Sequence, residues 1–317
     1  MRIVVIGAGG IGGWLGARLA ASGQQVGFLV HGRTLEALRS GGLMLRDCSG
    51  GEPGTVTARI ETPLASDDPQ ALTDALGGRP DLVLVTTKVD ALPPLAPALR
   101  RLTGPDTGVV STQNGISAPG LLADAVGKAH VLPGVARVYS AIASPGEVRT
   151  IGSAGSLALG EWDGSATARS RAAVQALEAA GIRAWVPGSI WAELWRKVSF
   201  VVVQGSLGAA TDAPIGVLRT DLRDAFTRAV SEVVAVATAL GHDLATDDAP
   251  DPVAAALRMA DATTSMQRDI ASGLPSELDA QLGALCRAGD EAGVPTPVLD
   301  LAHSVLAPRE AIARARA

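Results

Sequence analysis

Cysteine is almost missing from this 317-residue sequence, which limits the class of protein. The chain contains only Cys48 and Cys286, too few for a disulfide framework. We therefore expect a reducing, cytoplasmic setting. None of the four histidines lies four residues from another or beside a pair of cysteines, so the sequence predicts no dedicated metal site.

Long apolar runs and basic stripes are also missing. The longest apolar runs, such as residues 198–203, are far shorter than the roughly 20 residues that span a bilayer. The N-terminal apolar stretch has the length of a strand and leads into glycines, unlike a signal peptide. The net charge is −5, which does not suit a phosphate backbone. The sequence thus predicts neither a membrane nor a nucleic acid as partner.

Short β-branched runs alternate with helical stretches in the N-terminal half. Strands are predicted over Ile3–Ile6, Val26–Val30, Leu82–Thr86, Gly108–Ser111 and His130–Leu132. A helix is predicted over Ile11–Ser22, closed by Gly23. This alternation predicts a parallel sheet covered by helices. Gly155–Glu161 is predicted to be a later, antiparallel strand.

Strand signals stop near Ile190, and long periodic stretches follow. They predict helices over Ile190–Thr211, Leu218–Leu240, Pro252–Ile270, Ser276–Ala292 and Val298–Leu306. Proline, glycine and aspartate mark the breaks between them. The sequence is long enough for two domains, and we place the boundary near Pro187-Gly188.

A glycine loop joins the first strand to the first helix. It reads, in order, Gly7, Ala8, Gly9, Gly10, Ile11 and Gly12. This order fits G-x-G-x-x-G in the strand–loop–helix context that the motif needs. Gly7 permits the tight turn, Gly9 lets the backbone approach a pyrophosphate, and Gly12 lets the helix pack on the strand. We expect the loop to bind the pyrophosphate of a nicotinamide cofactor.

These patterns together predict the fold class. We expect an α/β protein in which an N-terminal Rossmann-type dinucleotide-binding domain, residues 1–187, is followed by an all-α domain, residues 188–317. The helical domain is expected to hold the substrate. Its alanine-rich helices leave a homodimer open as well.

The end of the second strand bears on the choice between NAD and NADP. The chain reads Val30-His31-Gly32-Arg33, with no acidic residue before Glu36. An NAD site usually has an acidic residue there for the ribose hydroxyls. The planar guanidinium of Arg33 can instead pair with a 2′-phosphate, so we expect NADPH (NADP⁺). The alternative is an arginine in a solvated loop.

Three more segments accompany the glycine loop. Residues 85–88 read Val-Thr-Thr-Lys, residues 111–116 read Ser-Thr-Gln-Asn-Gly-Ile, and residues 192–197 read Ala-Glu-Leu-Trp-Arg-Lys. Further along, residues 264–269 read Thr-Ser-Met-Gln-Arg-Asp, and Glu277 follows. In this order and at these spacings, the sequence resembles the ketopantoate reductase (2-dehydropantoate 2-reductase) family over nearly its whole length.

The resemblance implies NADPH-dependent reduction of a 2-oxo acid to a 2-hydroxy acid. Lys197 matches the family's general acid, which gives a proton to the ketone oxygen while hydride reaches the carbon. A cation beside that oxygen stabilises the developing alkoxide. Without the resemblance, Lys197 would be taken for a surface lysine.

The resemblance also implies roles for four other residues. Asn114 and Glu277 match residues near both cofactor and substrate, Ser265 matches a serine that binds the substrate carboxylate, and Lys88 matches a lysine facing the cofactor or the substrate. Each residue also has a simpler interpretation: an Asn-Gly turn, a glutamate in a first helical turn, a serine in solvent, and a lysine at a strand end.

The sequence departs from the family at two positions. The family has asparagines four and eight residues after the catalytic lysine, where this chain has Val201 and Gly205. These asparagines bind the substrate, and each missing hydrogen bond costs roughly 1–3 kcal/mol. 2-Dehydropantoate, and with it pantothenate biosynthesis, remains the first hypothesis. The alternatives are a paralogous reductase of another 2-oxo acid, ketone or imine, and a non-catalytic NADP(H)-binding sensor.

Overall fold

The computed structural model describes residues 1–151, 155–244 and 261–316. The chain divides into two units. The first comprises Met1–Gln113 and Ala118–Ile190, and the second comprises Asn114–Ser117 and Trp191–Ala317. The domain boundary near residue 187 stays a prediction.

The first unit contains all the described strands. They are β1 Arg2–Ile6, β2 Gln25–Leu29, β3 Leu43–Asp47, β4 Thr55–Ile60, β5 Leu64–Ser66, β6 Leu82–Val85, β7 Gly108–Ser111, β8 Val131–Leu132, β9 Gly134–Arg137, β10 Ser140–Ser144, β11 Glu147–Thr150, β12 Ser156–Leu159 and β13 Arg183–Trp185. Its helices are α1 Gly10–Ala21, α2 Gly32–Gly41, α3 Pro69–Ala75, α4 Leu92–Leu102, α5 Ala118–Val126 and α6 Ala168–Ala179, with 3₁₀ turns at Val89–Ala91 and Lys128–His130.

A parallel sheet forms the centre of this unit. Its order is β5-β2-β1-β6-β7-β8, and every pair in it is parallel. The central strands are mostly apolar because helices cover both faces of such a sheet; Val4 and Val83, for example, are fully buried. Helix α1 ends as expected, with Gly23 at φ +88° after its last turn. The predicted Rossmann-type domain is confirmed.

Two smaller sheets were not predicted from the sequence. One has the order β10-β11-β3-β4, and the other has the order β13-β12-β9. The strand predicted at Gly155–Glu161 is β12, which is antiparallel to β9 but parallel to β13. Strands β4 and β10 are largely exposed, so they lack the apolar runs that identify buried strands.

The second unit is helical over its described residues. Its elements are α7 Ile190–Thr211, α8 Ile215–Arg219, α9 Arg223–Ala239, α10 Ser265–Ala271, a π-helix at Asp279–Gly283, α11 Ala284–Ala292 and α12 Pro297–Arg316. The predicted all-α C-terminal domain is confirmed. No helix in the described part of the chain is both long and apolar enough to cross a membrane.

Four helices predicted in this unit differ from those observed. The stretch 276–292 is a π-helix followed by α11, and the helix predicted over 298–306 is α12, which extends to Arg316. The stretch 218–240 is broken after Arg219, where the Thr220 hydroxyl donates to the Gly216 carbonyl at 3.0 Å. Of the stretch 252–270, residues 252–260 lie outside the described residues, and α10 begins only at Ser265. It begins there because the Thr264 side chain caps the helix, accepting from the backbone N–H of Gln267.

A buried ion pair anchors the start of α6. The Glu161 carboxylate accepts from Arg169 Nη2 at 2.5 Å and from the Thr167 hydroxyl at 2.6 Å. Thr167 is the N-cap of α6. Burial raises the pKa of Glu161, but the hydrogen bonds from Arg169 and Thr167 outweigh burial, so this pKa lies below its ordinary value of 4.5. The charged carboxylate therefore stabilises the fold.

Replacing Glu161→Gln should lower the free energy of unfolding by about 2 kcal/mol at pH 7, because Arg169 then loses its buried partner. The stabilisation by Glu161 is present above the unfolded pKa and is lost as pH falls through the lower folded pKa. In urea unfolding, the difference between wild type and variant should therefore shrink as pH falls below 4.5. A difference that widens in acid would contradict this assignment.

Candidate functional site

The glycine loop is a tight turn held by the strands on either side. Gly7 has a φ of +90°, which favours glycine. Its N–H donates to the Leu29 carbonyl at 3.0 Å. The hydroxyl of Thr86, just after β6, donates to the carbonyls of Ile6 at 2.8 Å and Gly7 at 2.9 Å. The loop backbone is thus fixed by β2 and by the residue that follows β6.

Gly12 allows α1 to pack directly on this turn. A Cβ built on Gly12 would lie 2.0 Å from the Gly7 carbonyl oxygen and 2.3 Å from Thr86 Oγ1. The Gly7 carbonyl belongs to the fixed turn, and Thr86 Oγ1 is hydrogen-bonded to it, so neither atom can move away without disturbing the turn. Any side chain at position 12 would push the helix away from the loop.

The N-terminus of α1 fits an anionic ligand. The helix begins at Gly10, and its N-cap, Gly9, has no side chain with which to bond the free N–H groups. The first turn reads Gly-Ile-Gly-Gly and carries no acidic side chain. A Cβ on Gly9 would meet Ile142 Cδ1 at the ordinary distance of 3.7 Å. Free donors, a favourable helix dipole and the absence of side chains at Gly9 and Gly10 fit the pyrophosphate of a dinucleotide.

Arg33 lies at the start of the next helix. It is the second residue of α2, it is exposed, and it follows β2 in the sheet. The first turn of α2 carries no acidic residue, so the guanidinium and the helix dipole have the same sign there. This arrangement fits a phosphate on the ribose, as expected for NADPH.

Lys88 follows the end of β6 on a supported loop. It is exposed and precedes the 3₁₀ turn at Val89–Ala91. The buried side chain of Gln113 holds the backbone before it, because Nε2 donates to the carbonyls of Val85 and Thr87, both at 3.0 Å. Gln113 thereby links the ends of β6 and β7.

Thr86 and Gln113 are supporting residues that the sequence interpretation missed. The signal was available, since both are polar residues just after a buried strand: Thr86 directly follows β6, and Gln113 is the second residue after β7. The structure adds an observation at Thr87, whose buried Oγ1 has no hydrogen-bond partner among the described residues. Thr87 packs against Gly7, so an unsatisfied hydroxyl beside the loop is consistent with a polar ligand there.

In the second unit, Asn114 is held beside the π-helix. Gly115 has a φ of +95°, and a Cβ on it would lie 2.8 Å from the Ala280 carbonyl oxygen. The Ser117 hydroxyl donates to the same oxygen at 3.5 Å. The Asn-Gly pair therefore forms a turn, and this turn packs on the backbone of the π-helix.

Glu277 lies just before the π-helix and is only 9% exposed. The amide of Gln281, one turn later, donates to Glu277 Oε2 at 3.4 Å. Gly115 also packs near Gln281 Cα, so the structure brings the Asn114 turn and Glu277 together. A carboxylate is rarely buried without a specific reason, and π-helical turns occur often at functional sites.

Lys197 lies on α7, half-buried, beside a cation with a structural role. Arg196 forms an ion pair with Glu193 at 2.7 Å, and its Nε donates to the Leu244 carbonyl at 3.5 Å. The two cations point about 100° apart around the helix. Lys197 shares its face with Val201 and Gly205, at intervals of four residues.

The space beside Gly205 is filled by side chains at the start of α10. A Cβ on Gly205 would lie 2.7 Å from Thr264 Oγ1 and 3.1 Å from Met266 Cε. The expected asparagine has no room here because the start of α10 fills its place. Ser265, the exposed first residue of α10, therefore lies near position 205, about 12 Å from Lys197 along the axis of α7.

The nearby amide of Gln204 does not replace the missing asparagines. It is buried, and its Nε2 donates to the Ala262 carbonyl at 3.4 Å. It therefore anchors the segment that leads into α10.

The expected residues separate by unit. Gly7–Gly12, Arg33 and Lys88 lie in the first unit, whereas Asn114, Lys197, Ser265 and Glu277 lie in the second. Within residues 1–151, 155–244 and 261–316, no group of three histidine, cysteine, aspartate or glutamate side chains could hold a metal ion. The first group can hold a dinucleotide, and the second offers an ammonium, a carboxylate, an amide and a hydroxyl.

Comparison with known proteins gives a family match in both units. A family model described as ketopantoate reductase PanE/ApbA matches residues 3–164. A second model, the C-terminal part of the same family, matches residues 189–310. The chain is 30% identical to a 2-dehydropantoate 2-reductase of Halobacterium salinarum over 302 residues, covering 94% of this chain and 95% of the relative.

Solved structures show the same fold. A 2-dehydropantoate 2-reductase from Geobacter metallireducens superposes with a TM-score of 0.87 at 26% identity, covering 97% of this chain and 99% of that chain. A D-mandelate dehydrogenase with NADH and anilino(oxo)acetate superposes with a TM-score of 0.84, covering 99% of both chains. Its identity is 22%, so this second likeness concerns the fold alone.

Gly12→Ala tests the glycine loop. We expect at least a tenfold loss of dinucleotide affinity, about 1.4 kcal/mol, because the new Cβ overlaps the Gly7 carbonyl. Quenching of protein fluorescence by NADPH measures this affinity without turnover. Gly120→Ala is the matched control, since Gly120 also lies in a helix, α5, and a Cβ there meets nothing within 4 Å. Equal affinities for both variants would refute the assignment.

Proposed function

The chain belongs to the ketopantoate reductase family and is an oxidoreductase, and from this premise we propose that it reduces a 2-oxo acid to a 2-hydroxy acid with NADPH. The observation that carries the proposal is the glycine loop at the start of α1, whose free donors and lack of side chains suit a pyrophosphate. The polar set of Asn114, Lys197 and Glu277 in the other unit supports it.

The family implies a nicotinamide dinucleotide, and we propose NADPH as the preferred form. The support is Arg33 at the N-terminus of α2, where a 2′-phosphate would gain both an ion pair and a helix dipole. The D-mandelate dehydrogenase neighbour holds NADH, which makes NADH the alternative to measure.

In the proposed mechanism, the glycine loop and Arg33 would hold the dinucleotide, which when bound would supply the hydride for the carbonyl carbon. Lys197 donates a proton from Nζ to the carbonyl oxygen and stabilises its negative charge while it develops. Its half-buried position strengthens this interaction, because water screens it less there. Ser265 donates to the substrate carboxylate, and Asn114 and Glu277 orient the substrate and the nicotinamide. Lys88 contacts the cofactor.

The substrate has a first and a second candidate. 2-Dehydropantoate is the substrate in the names of several relatives. The second candidate is a 2-oxo acid, ketone or imine with an apolar arm. Val201 favours it, and so does the filled position at Gly205, since Met266 and Thr264 stand where an amide would bind a hydroxyl. Anilino(oxo)acetate, bound to the D-mandelate dehydrogenase, has an arm of this kind.

The proposal includes three broader expectations. They are a cytoplasmic enzyme, a role in pantothenate biosynthesis if 2-dehydropantoate is the substrate, and a homodimer. The two cysteines, which form no disulfide, agree with a reducing compartment. Light scattering on the purified chain measures the oligomeric state directly.

A substrate panel decides between the candidates. Oxidation of NADPH is measured with each of these substrates: 2-dehydropantoate, branched and aryl 2-oxo acids, ketones and cyclic imines. The same measurements are made with NADH.

Val201→Asn tests the substrate site within this panel. We expect the ratio of kcat/KM for 2-dehydropantoate to kcat/KM for the other substrates to rise by about 5- to 10-fold, the value of one hydrogen bond. An unchanged ratio would remove Val201 from the substrate site. No turnover on any member would favour the NADP(H)-binding sensor, and equal rates with NADH would remove the role of Arg33.

Lys197→Ala tests the general acid. We expect kcat to fall by about 10²- to 10⁴-fold, the usual contribution of a positioned acid, whereas NADPH binding changes little. Lys128→Ala is the control, since Lys128 lies over the Trp162 ring in the other unit, 4.7 Å from its centroid. If kcat falls equally in both variants, Lys197 is not the acid.

A further inference from the structure

Two side chains of the C-terminal helix hold the residue that precedes Glu277. Both carboxylate oxygens of Glu310 accept from the backbone N–H of Ser276, at 3.1 Å each, and Oε2 also accepts from the Ser276 hydroxyl at 2.6 Å. Arg314 Nη2 donates to the Ser276 carbonyl at 2.9 Å. The N–H, O–H and C=O of one residue are therefore all bound by α12.

Glu310 is itself fixed in place. Its side chain is 8% exposed, and Arg314, four residues later on the same helix, pairs with Oε1 at 2.7 Å. A buried carboxylate needs such compensation, and here a cation and two donors, the N–H and O–H of Ser276, provide it. The ion pair thus forms a rigid support for Ser276. We call the four interacting groups the Ser276 clamp: the Glu310 carboxylate, the Arg314 guanidinium, and the backbone and hydroxyl of Ser276.

The clamp acts on a short path to Glu277. Ser276 Oγ accepts from the backbone N–H of Leu278 at 3.2 Å, so the backbone on both sides of Glu277 is fixed. The Gln281 amide then meets the Glu277 carboxylate from the π-helix. With its neighbours held, Glu277 has few directions in which its side chain can extend. A simple anchor for α12 would need one of these bonds rather than all of them.

We propose that Glu310 is a positioning residue for the reaction: through Ser276, it sets the direction in which Glu277 meets the substrate and the nicotinamide. This inference rests on the proposed function of Glu277. It predicts that loss of the clamp reduces catalysis beyond any loss of stability, because small displacements at a reacting centre cost large factors in rate.

The test compares Glu310→Gln, Glu277→Gln and the double variant. Glu310→Gln keeps the shape of the side chain, but it loses the charge and one acceptor oxygen. We expect it to lower kcat/KM for the best 2-oxo acid by about 10- to 100-fold. In the Glu277→Gln background it should cause no further loss, because both changes act through one group. Multiplying losses would overturn the proposal.

Glu161→Gln provides the matched structural control. Glu161 is also buried, also pairs with an arginine, and also accepts from a hydroxyl at 2.6 Å, that of Thr167, but it lies in the other unit. Both variants should lower the unfolding temperature, and only Glu310→Gln should lower kcat/KM. Equal destabilisation with kcat/KM unchanged in both would overturn the proposal.

A second variant tests the clamp in case Glu310→Gln folds poorly. Ser276→Ala removes only the hydroxyl bonds, and kcat/KM should fall severalfold; no change would overturn the clamp. The two possible failures are distinct. If Glu277→Gln retains full kcat/KM, the proposed role of Glu277 fails first, and the clamp fails with it. If Glu277→Gln is impaired and Glu310→Gln is not, the clamp alone fails.

Discussion

The approach of Gly12 to the Gly7 carbonyl is the contact on which the proposed cofactor site depends. Helix α1 can begin directly above the turn only because position 12 has no side chain. Thr86, just after β6, donates to the same carbonyl, so the turn cannot open to admit a larger residue. The free N–H groups at the start of α1 are therefore held in one place, as an anion site requires.

The second unit also fixes polar groups through backbone contacts. Gly115 packs on the Ala280 carbonyl, Gly205 admits the Thr264 hydroxyl, and Glu310 holds Ser276. At the two glycines the absence of a side chain lets a neighbouring segment pack closely, and at Glu310 a buried charge binds the neighbouring segment. The proposed site residues Asn114, Ser265 and Glu277 each adjoin one of these contacts, which explains how the backbone at each of these positions is held in place.

The sequence predicted the parts of the fold whose pattern is local. Buried strands such as β1 appear as apolar runs, and the glycine loop has a known spacing. The sheet containing β4 and β10 was missed because exposed strands carry no such signal. The π-helix was missed because its register depends on packing. Likewise, the sequence showed only that position 205 is glycine where the family has asparagine. The structural explanation is that Thr264 fills that space, and this contact joins residues 59 positions apart.

We propose that this chain moves hydride from a nicotinamide dinucleotide to the carbonyl carbon of a 2-oxo acid. The most direct test uses NADPH carrying deuterium at C4 of the nicotinamide, in both stereochemical forms, with 2-dehydropantoate and an aryl 2-oxo acid. Mass spectrometry and NMR of the product should find one deuterium at C2 of the 2-hydroxy acid, from one of the two forms only. A 2-hydroxy acid that carries no deuterium from either form of NADPH would contradict this hydride transfer. Failure to form a 2-hydroxy acid from either substrate would contradict it as well.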